Sequence, residues 1–173
     1  MTACNRGGLP GATSALASMT MTRFGPLSTS PEGLILGDPG RKHLLLTPPG
    51  VSYRAHAAPS QFFAWNDIEG IVIELPTSRF RFPALVVGVI SWSIAFSSGE
   101  SVNMNPNDGA VTIFSRGHEA LLDVGRHHVG GYWRTSIVAA QRLCDRFIAE
   151  SPSRELLNHP EELLRAVIAS ARR

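Results

Sequence analysis

The amino-acid sequence predicts a mainly β domain, an antiparallel sandwich or small barrel of about seven strands, closed by helices at its C-terminal end. Three observations lead there. Between residues 24 and 124, short apolar or alternating runs are separated by dense Gly, Pro, Asp and Asn clusters. Near Thr135 the spacing of apolar residues changes from two to between three and four. A last segment opens at Pro160 with Glu161 and Glu162 behind it, the composition of a helix start.

Taken in order, residues 1–22 mix Gly, Ala, Ser and Thr without hydrophobic periodicity and read as a disordered leader. Gly33-Leu34-Ile35-Leu36 is the first strand-like run, stopped by Gly37-Asp38-Pro39-Gly40. Residues 44–47 form a second, ended by Pro48-Pro49-Gly50. Residues 51–56 alternate, residues 62–65 do so less regularly, and Ile71, Ile73 and Leu75 share one face. The clearest alternation spans residues 89–96, with Ile90, Trp92, Ile94 and Phe96 on one side and Ser91 and Ser93 on the other. Residues 101–105 lead into the turn Pro106-Asn107-Asp108-Gly109. Residues 110–115 and 119–124 complete the β region.

A helix then starts with Thr135 or Ser136 as its cap and buries Ile137, Ala140, Cys144, Phe147 and Ile148. Ser151-Pro152 stops it. In the final helix, Leu163, Leu164, Val167, Ile168 and Ala171 form an apolar stripe that must lie against something, and Arg172 and Arg173 suit its C-terminal end.

Hydrophobic residues make up 43 % and charged residues 17 % of the 173, enough apolar material for a core and too little charge for a disordered chain. The formal charge of +2 falls short of the basic stripe that nucleic-acid binding calls for, so no nucleic-acid partner is expected. Cys4 and Cys144 stand at opposite ends, which argues against a disulfide. No run reaches the roughly 18 apolar residues of a membrane span, no secretory leader is recognisable, and a cytoplasmic location is the default expectation.

The phrase Phe63-Ala64-Trp65-Asn66-Asp67-Ile68-Glu69-Gly70-Ile71, an aromatic followed by Asp-Ile and an apolar strand, resembles one found in bacterial members of the pleckstrin-homology-like group. The resemblance covers roughly residues 34–149. It implies a β domain over 23–150 with its closing helix and a helical extension over 151–173. Members that bind inositol phosphates place a basic residue in the first hairpin and two cations on the next strand. The resemblance thus points to Arg41 and Lys42 in the Gly40–His43 turn, and to Arg54 and His56 beyond it, as ligand-binding candidates. His56 stands where the family has a second permanent cation.

A search for chemistry yields no constellation. His127-His128 with His118 nearby lacks the spacing of a metal set, and the adjacent glycines mark these as loop histidines. There is no nucleophile elbow and no phosphate-cradling loop. Cys144 falls on the apolar face of its helix, and Asp67 with Glu69 reads as two surface carboxylates rather than an acid/base pair. Ser78-Arg79-Phe80-Arg81-Phe82 alternates cation and aromatic between Pro76 and Pro83, the pattern of a half-buried edge strand and a candidate interface. Tyr132-Trp133-Arg134 reads as sealing the β core where the helix begins.

Together these features favour a non-catalytic module without cofactor or metal, acting through a protein partner or self-association, with Arg79, Arg81, Leu164, Val167 and Ile168 as interface candidates. An anionic small-molecule or lipid-headgroup binder is the alternative, and an enzyme without a recognisable motif the second.

Overall fold

The computed structural model describes residues 21–55, 58–77, 109–126 and 131–172. The strand expected over 89–96, the 101–108 segment, residues 1–20, His56, Arg79, Arg81, His127 and His128 lie outside them.

The chain is mainly β: the described residues form nine antiparallel strands in two sheets, followed by helices. β1 (Arg23–Phe24), β2 (Leu27–Ser30), β3 (Gly33–Gly37), β4 (His43–Thr47), β5 (Gly50–Ala55) and β6 (Ala58–Ala64) form a six-stranded meander in sequence order. β7 (Ile68–Glu74), β8 (Gly109–Ser115) and β9 (His118–Val124) form a second sheet, also in order. Among the described residues the sheets do not close into a barrel. Periodicity does not reveal β1 and β2: Leu27-Ser28-Thr29-Ser30 holds one strongly apolar residue, yet its first three are buried because β2 lies between β1 and β3. Even Thr22 belongs to this structure, exchanging bonds with the backbone and hydroxyl of Thr29 at 3.0 Å each.

Tight turns set the registers. Ser30 pairs with Gly33 and Thr47 with Gly50, leaving Pro31-Glu32 and Pro48-Pro49 as two-residue connections. Between β8 and β9 the turn is Arg116-Gly117, with φ of 30° and 81°. Both central residues are left-handed, which matches the right-handed twist of the flanking strands and favours glycine at the second position.

The alternation read from the sequence fixes which side faces inward. Leu34, Leu36, Leu44, Leu46, Val51 and Tyr53 from the first sheet meet Ile71, Ile73, Val111, Ile113, Leu122 and Val124 from the second in one cluster. Helix α1 (Arg134–Ala149) adds Ile137, Ala140, Leu143, Cys144 and Phe147. It begins one residue before the expected cap: Trp133 is the N-cap, and Ser136 lies in the first turn, its Oγ donating to the Trp133 carbonyl at 2.7 Å. A 3₁₀ segment (Ser151–Asn158) follows, and helix α2 (Pro160–Ala171) starts on the expected proline. Arg172 is the C-cap rather than part of the last turn. The stripe of α2 lies on the chain's own domain, against β2 and β1, with Leu163 and Leu164 buried and Val167 and Ile168 packed at the margin.

Two joints hold the sheets together. In the first, the turn after β3 is laced to the end of β9: Asp38 N–H donates to Gly125 O (2.9 Å), Gly125 N–H donates to Lys42 O (2.8 Å), and Lys42 Nζ pairs with Asp123 at 3.0 Å. A Cβ on Gly37, whose φ is 109°, would collide with Val124, so this approach needs glycine.

The second joint is Trp65, at the exit of β6. Its ring is buried and tilted against Phe147 at 5.6 Å, and its Nε1–H donates to Thr47 O at 2.8 Å. Arg154 of the 3₁₀ segment lies over it at 6.0 Å, donating to Phe147 O and to Asn66 Oδ1 at 2.8 Å each. Trp65→Ala is expected to cost about 3–5 kcal/mol, read as a lowered urea midpoint at unchanged slope. A chain ending at His159 should melt at a lower temperature, because Leu163 and Leu164 are each worth about 1.5–3 kcal/mol when buried; an unchanged melting temperature would contradict this packing.

Candidate functional site

The described sequence-predicted cations, Arg41, Lys42 and Arg54, lie around the β3–β4 connection and the facing end of β5, and two of them, Lys42 and Arg54, reach a carboxylate of this chain. Lys42 extends to Asp123 on the second sheet. Arg54, opposite His43 in the β4–β5 register, makes a two-pronged contact with Glu32 in the β2–β3 turn, at 3.3 and 2.6 Å. The guanidinium's hydrogen bond and charge hold the Glu32 carboxyl below its ordinary range, and Glu32 in turn raises Arg54. Arg41 is exposed and packs its stem near Gly125. An anion docking here would have to compete with Glu32 and Asp123.

His43 sits beneath this cluster, 8 % exposed, with its Nδ1 unpartnered. Burial lowers its pKa, and the Arg54 charge acts the same way, against the opposing pull of Asp38 and of the Arg41 and Asp38 backbone. Cys144 is fully buried, and desolvation, aided by Asp145, pushes its thiol up to about 12, so it packs as a small apolar residue and supplies no thiolate. Asp67 pairs with Arg116 at 2.9 Å, a structural contact between two turns, while Glu69 is exposed. His118 opens β9 on the surface; among the described residues no three His, Cys, Asp or Glu side chains cluster as metal ligands. No described helix is long and apolar enough to cross a membrane.

Of the interface candidates, Leu164 is completely buried in the chain's own core, and Val167 and Ile168 are partly covered by it. The expectation for residues 132–134 divides. Tyr132 does seal the core, its N–H donating to Pro76 O at 3.0 Å and its backbone bridging Thr77. That pairing turns the next residue outward, and Trp133 is 77 % exposed.

Trp133 adjoins a surface that sequence reasoning missed. Arg134, Val138, Arg142 and Arg146 follow one another at four-residue intervals along α1, and with Val167 and Ala171 of α2 they line an open groove of about 550 Å³. Arg146 is engaged by Glu150 and Ser153. Arg134 and Arg142 carry no ion pair among the described residues. The four-residue repeat is the available signal in the sequence; that Val138 within it is 39 % exposed follows only from the packing. A second groove, of about 530 Å³, lies where the β2–β3 turn meets the start of α2, with Thr29, Pro31, His159, Glu162 and Arg165 around it.

No family model matches this chain, and neither does any curated protein or solved structure.

The His43 environment makes a pH prediction. Its folded pKa lies below the unfolded value near 6.5, so the neutral imidazole's contribution to stability is present above about pH 6.5 and lost as the pH falls through the folded value. His43→Gln should flatten the dependence of the thermal midpoint on pH between about 6.5 and 5, a window above the ordinary carboxylate range. An equal slope in variant and wild type would contradict it.

Proposed function

We propose that this chain is a non-catalytic module that acts by protein contact, and that the contact is made on the α1 face beside Trp133. The observation that carries this reading is an indole 77 % exposed at the N-cap of α1, one residue before a groove lined by Val138 and by Arg134 and Arg142, which carry no ion pair among the described residues. Trp and Arg are the residues that anchor interfaces, because they combine a large apolar area with directed polar groups. An apolar-floored groove between two helices, rimmed by guanidinium groups, suits a protein surface bearing carboxylates around an apolar centre.

The kinship with the pleckstrin-homology-like group belongs to the same proposal. Its support is the order of parts: a hairpin meander, a three-stranded second sheet and a closing helix, with Trp65-Asn66-Asp67-Ile68 at the hinge between sheets. On this reading the helix closing the domain also presents the contact surface. The hairpin cations Lys42 and Arg54 serve architecture instead, being engaged by Asp123 and Glu32.

The test is to replace Trp133 with a photo-activatable phenylalanine analogue in the full chain and irradiate living cells. Discrete protein adducts are expected, and they should fade when Arg142→Glu is added. Absence of any adduct at this position, with the substitution tolerated in folding, would end the proposal.

A further inference from the structure

A sheet ends in a row of backbone donors and acceptors that another strand can complete. Among the described residues the two sheets end at β1, β6, β7 and β9, and three of these edges are guarded. β1 is two residues long and lies against α2. β7 is met by the side-chain amide of Gln141 on α1, which bonds Ile73 N–H and Ile71 O. β9 places Glu119 and Asp123 among the residues whose backbone faces outward, and carboxylates there oppose an added strand.

β6 has no such guard. Its stretch Ser60-Gln61-Phe62-Phe63-Ala64 is uncharged, and Ser60, Gln61 and Phe62 are exposed, Phe62 at 57 %. Thr47 and Gly50 close the β4–β5 hairpin as a hydrogen-bonded pair, so by alternation Val51 and Tyr53 bond across to Phe63 and Gln61. The Ser60 hydroxyl, donating to Tyr53 O at 3.2 Å, fits that alternation. Ser60 and Phe62 therefore point N–H and C=O away from the sheet, and among the described residues nothing bonds them there. The Phe62 ring leans back over Gly50, where a Cβ would meet it, and leaves the edge itself open.

We infer that β6 is a self-association edge: two copies of this chain pair these strands antiparallel about a two-fold axis at Gln61, joining their six-stranded sheets. The strand is its own complement in that register. Ser60 lies opposite Phe62 of the second copy, and Phe62 opposite its Ser60, so every outward N–H meets an outward C=O. Gln61 faces Gln61 of the second copy in the closer, non-hydrogen-bonded position, Cα atoms about 4.5 Å apart. Each side-chain amide carries donors and an acceptor, so the two can bond each other across the axis. No charged side chain stands on either strand between Ser60 and Ala64, and pairing covers the exposed flank of each Phe62. The contact is isologous, so it closes at two copies. One strand from each copy falls short of the about 20–30 residues a side of a standard interface, so the dimer is weak. This contact goes beyond the α1 face and does not depend on it.

The full chain is examined by sedimentation equilibrium over a concentration series up to roughly 1 mM, in roughly 50 mM and roughly 500 mM salt. The average mass of the wild type should rise with concentration toward twice the monomer, go no further, and respond little to salt. Gln61→Lys and Gln61→Glu each set like charges face to face at the axis and should leave monomers. Mixing those two variants should restore the dimer, because opposite charges then meet. Arg142→Glu, on the α1 face, should dimerise like the wild type.

A wild type that stays monomeric throughout would overturn the inference, while the α1 reading would still be decided by cross-linking at position 133. A mass that climbs past the dimer would reveal an open contact in place of a two-fold one and overturn it too. So would a dimer that survives Gln61→Lys or dissolves on Arg142→Glu, since either result moves the contact elsewhere. Failure of the mixture to recover, with both variants folded by circular dichroism, would overturn the pairing at Gln61.

Discussion

The fold depends on one buried tryptophan. The described strands form two sheets that share no hydrogen-bonded neighbour, so only side chains and turns can hold them in register with each other. Trp65 stands where the chain leaves β6 for β7, and it ties the first sheet to the helices: its indole N–H donates to the Thr47 carbonyl of the first sheet, its ring packs on Phe147 of α1, and the Arg154 guanidinium covers it from the 3₁₀ segment. A Phe could fill much of that volume but would forfeit the indole hydrogen bond to the Thr47 carbonyl, a bond worth about 0.5–1.5 kcal/mol, which makes indole the fitting side chain here.

Among the described residues both sheets have edge strands, and edges must be managed. β7 borders the second sheet, and the side-chain amide of Gln141 on α1 meets it, accepting from Ile73 N–H at 3.0 Å and donating to Ile71 O at 2.6 Å. Gln141 in effect adds one peptide unit to the edge, which blocks pairing with another strand there. The helix is thereby fixed against the sheet by a directed polar contact as well as by its apolar face. Its outward side, carrying Val138 and the unpaired arginines, is then held at a defined angle to the sheet.

Periodicity revealed the elements that bury one whole face. Ile71 and Ile73 on one side of β7 with Leu75 just past its end, and the Ile137–Phe147 stripe of α1, lie in the core as the spacing required. Pro160 with two glutamates behind it marked the start of α2 for reasons of local chemistry alone. What escaped was decided by neighbours distant in the chain. Ser28 and Thr29 are buried because strands flank them on both sides, which nothing in Leu-Ser-Thr-Ser announces. Nothing around Arg54 in the sequence announces its ion pair with Glu32, 22 residues earlier. Trp133 looked like core until the Tyr132 backbone bridge showed which way it turns. The candidate contact surface was thus the least legible part, because exposure depends on long-range packing.

The chain has many arginines but a single lysine, Lys42, and the structure places that residue on the seam between the sheets beside Asp123. Its side chain is 40 % exposed, so an acylating reagent can reach it. Modification there would erase a cation that guanidinium groups elsewhere cannot replace, leaving the Asp123 carboxylate facing an amide. The molecule therefore carries one chemically addressable ε-amine, and its reactivity would report how tightly the two halves of the β structure are joined.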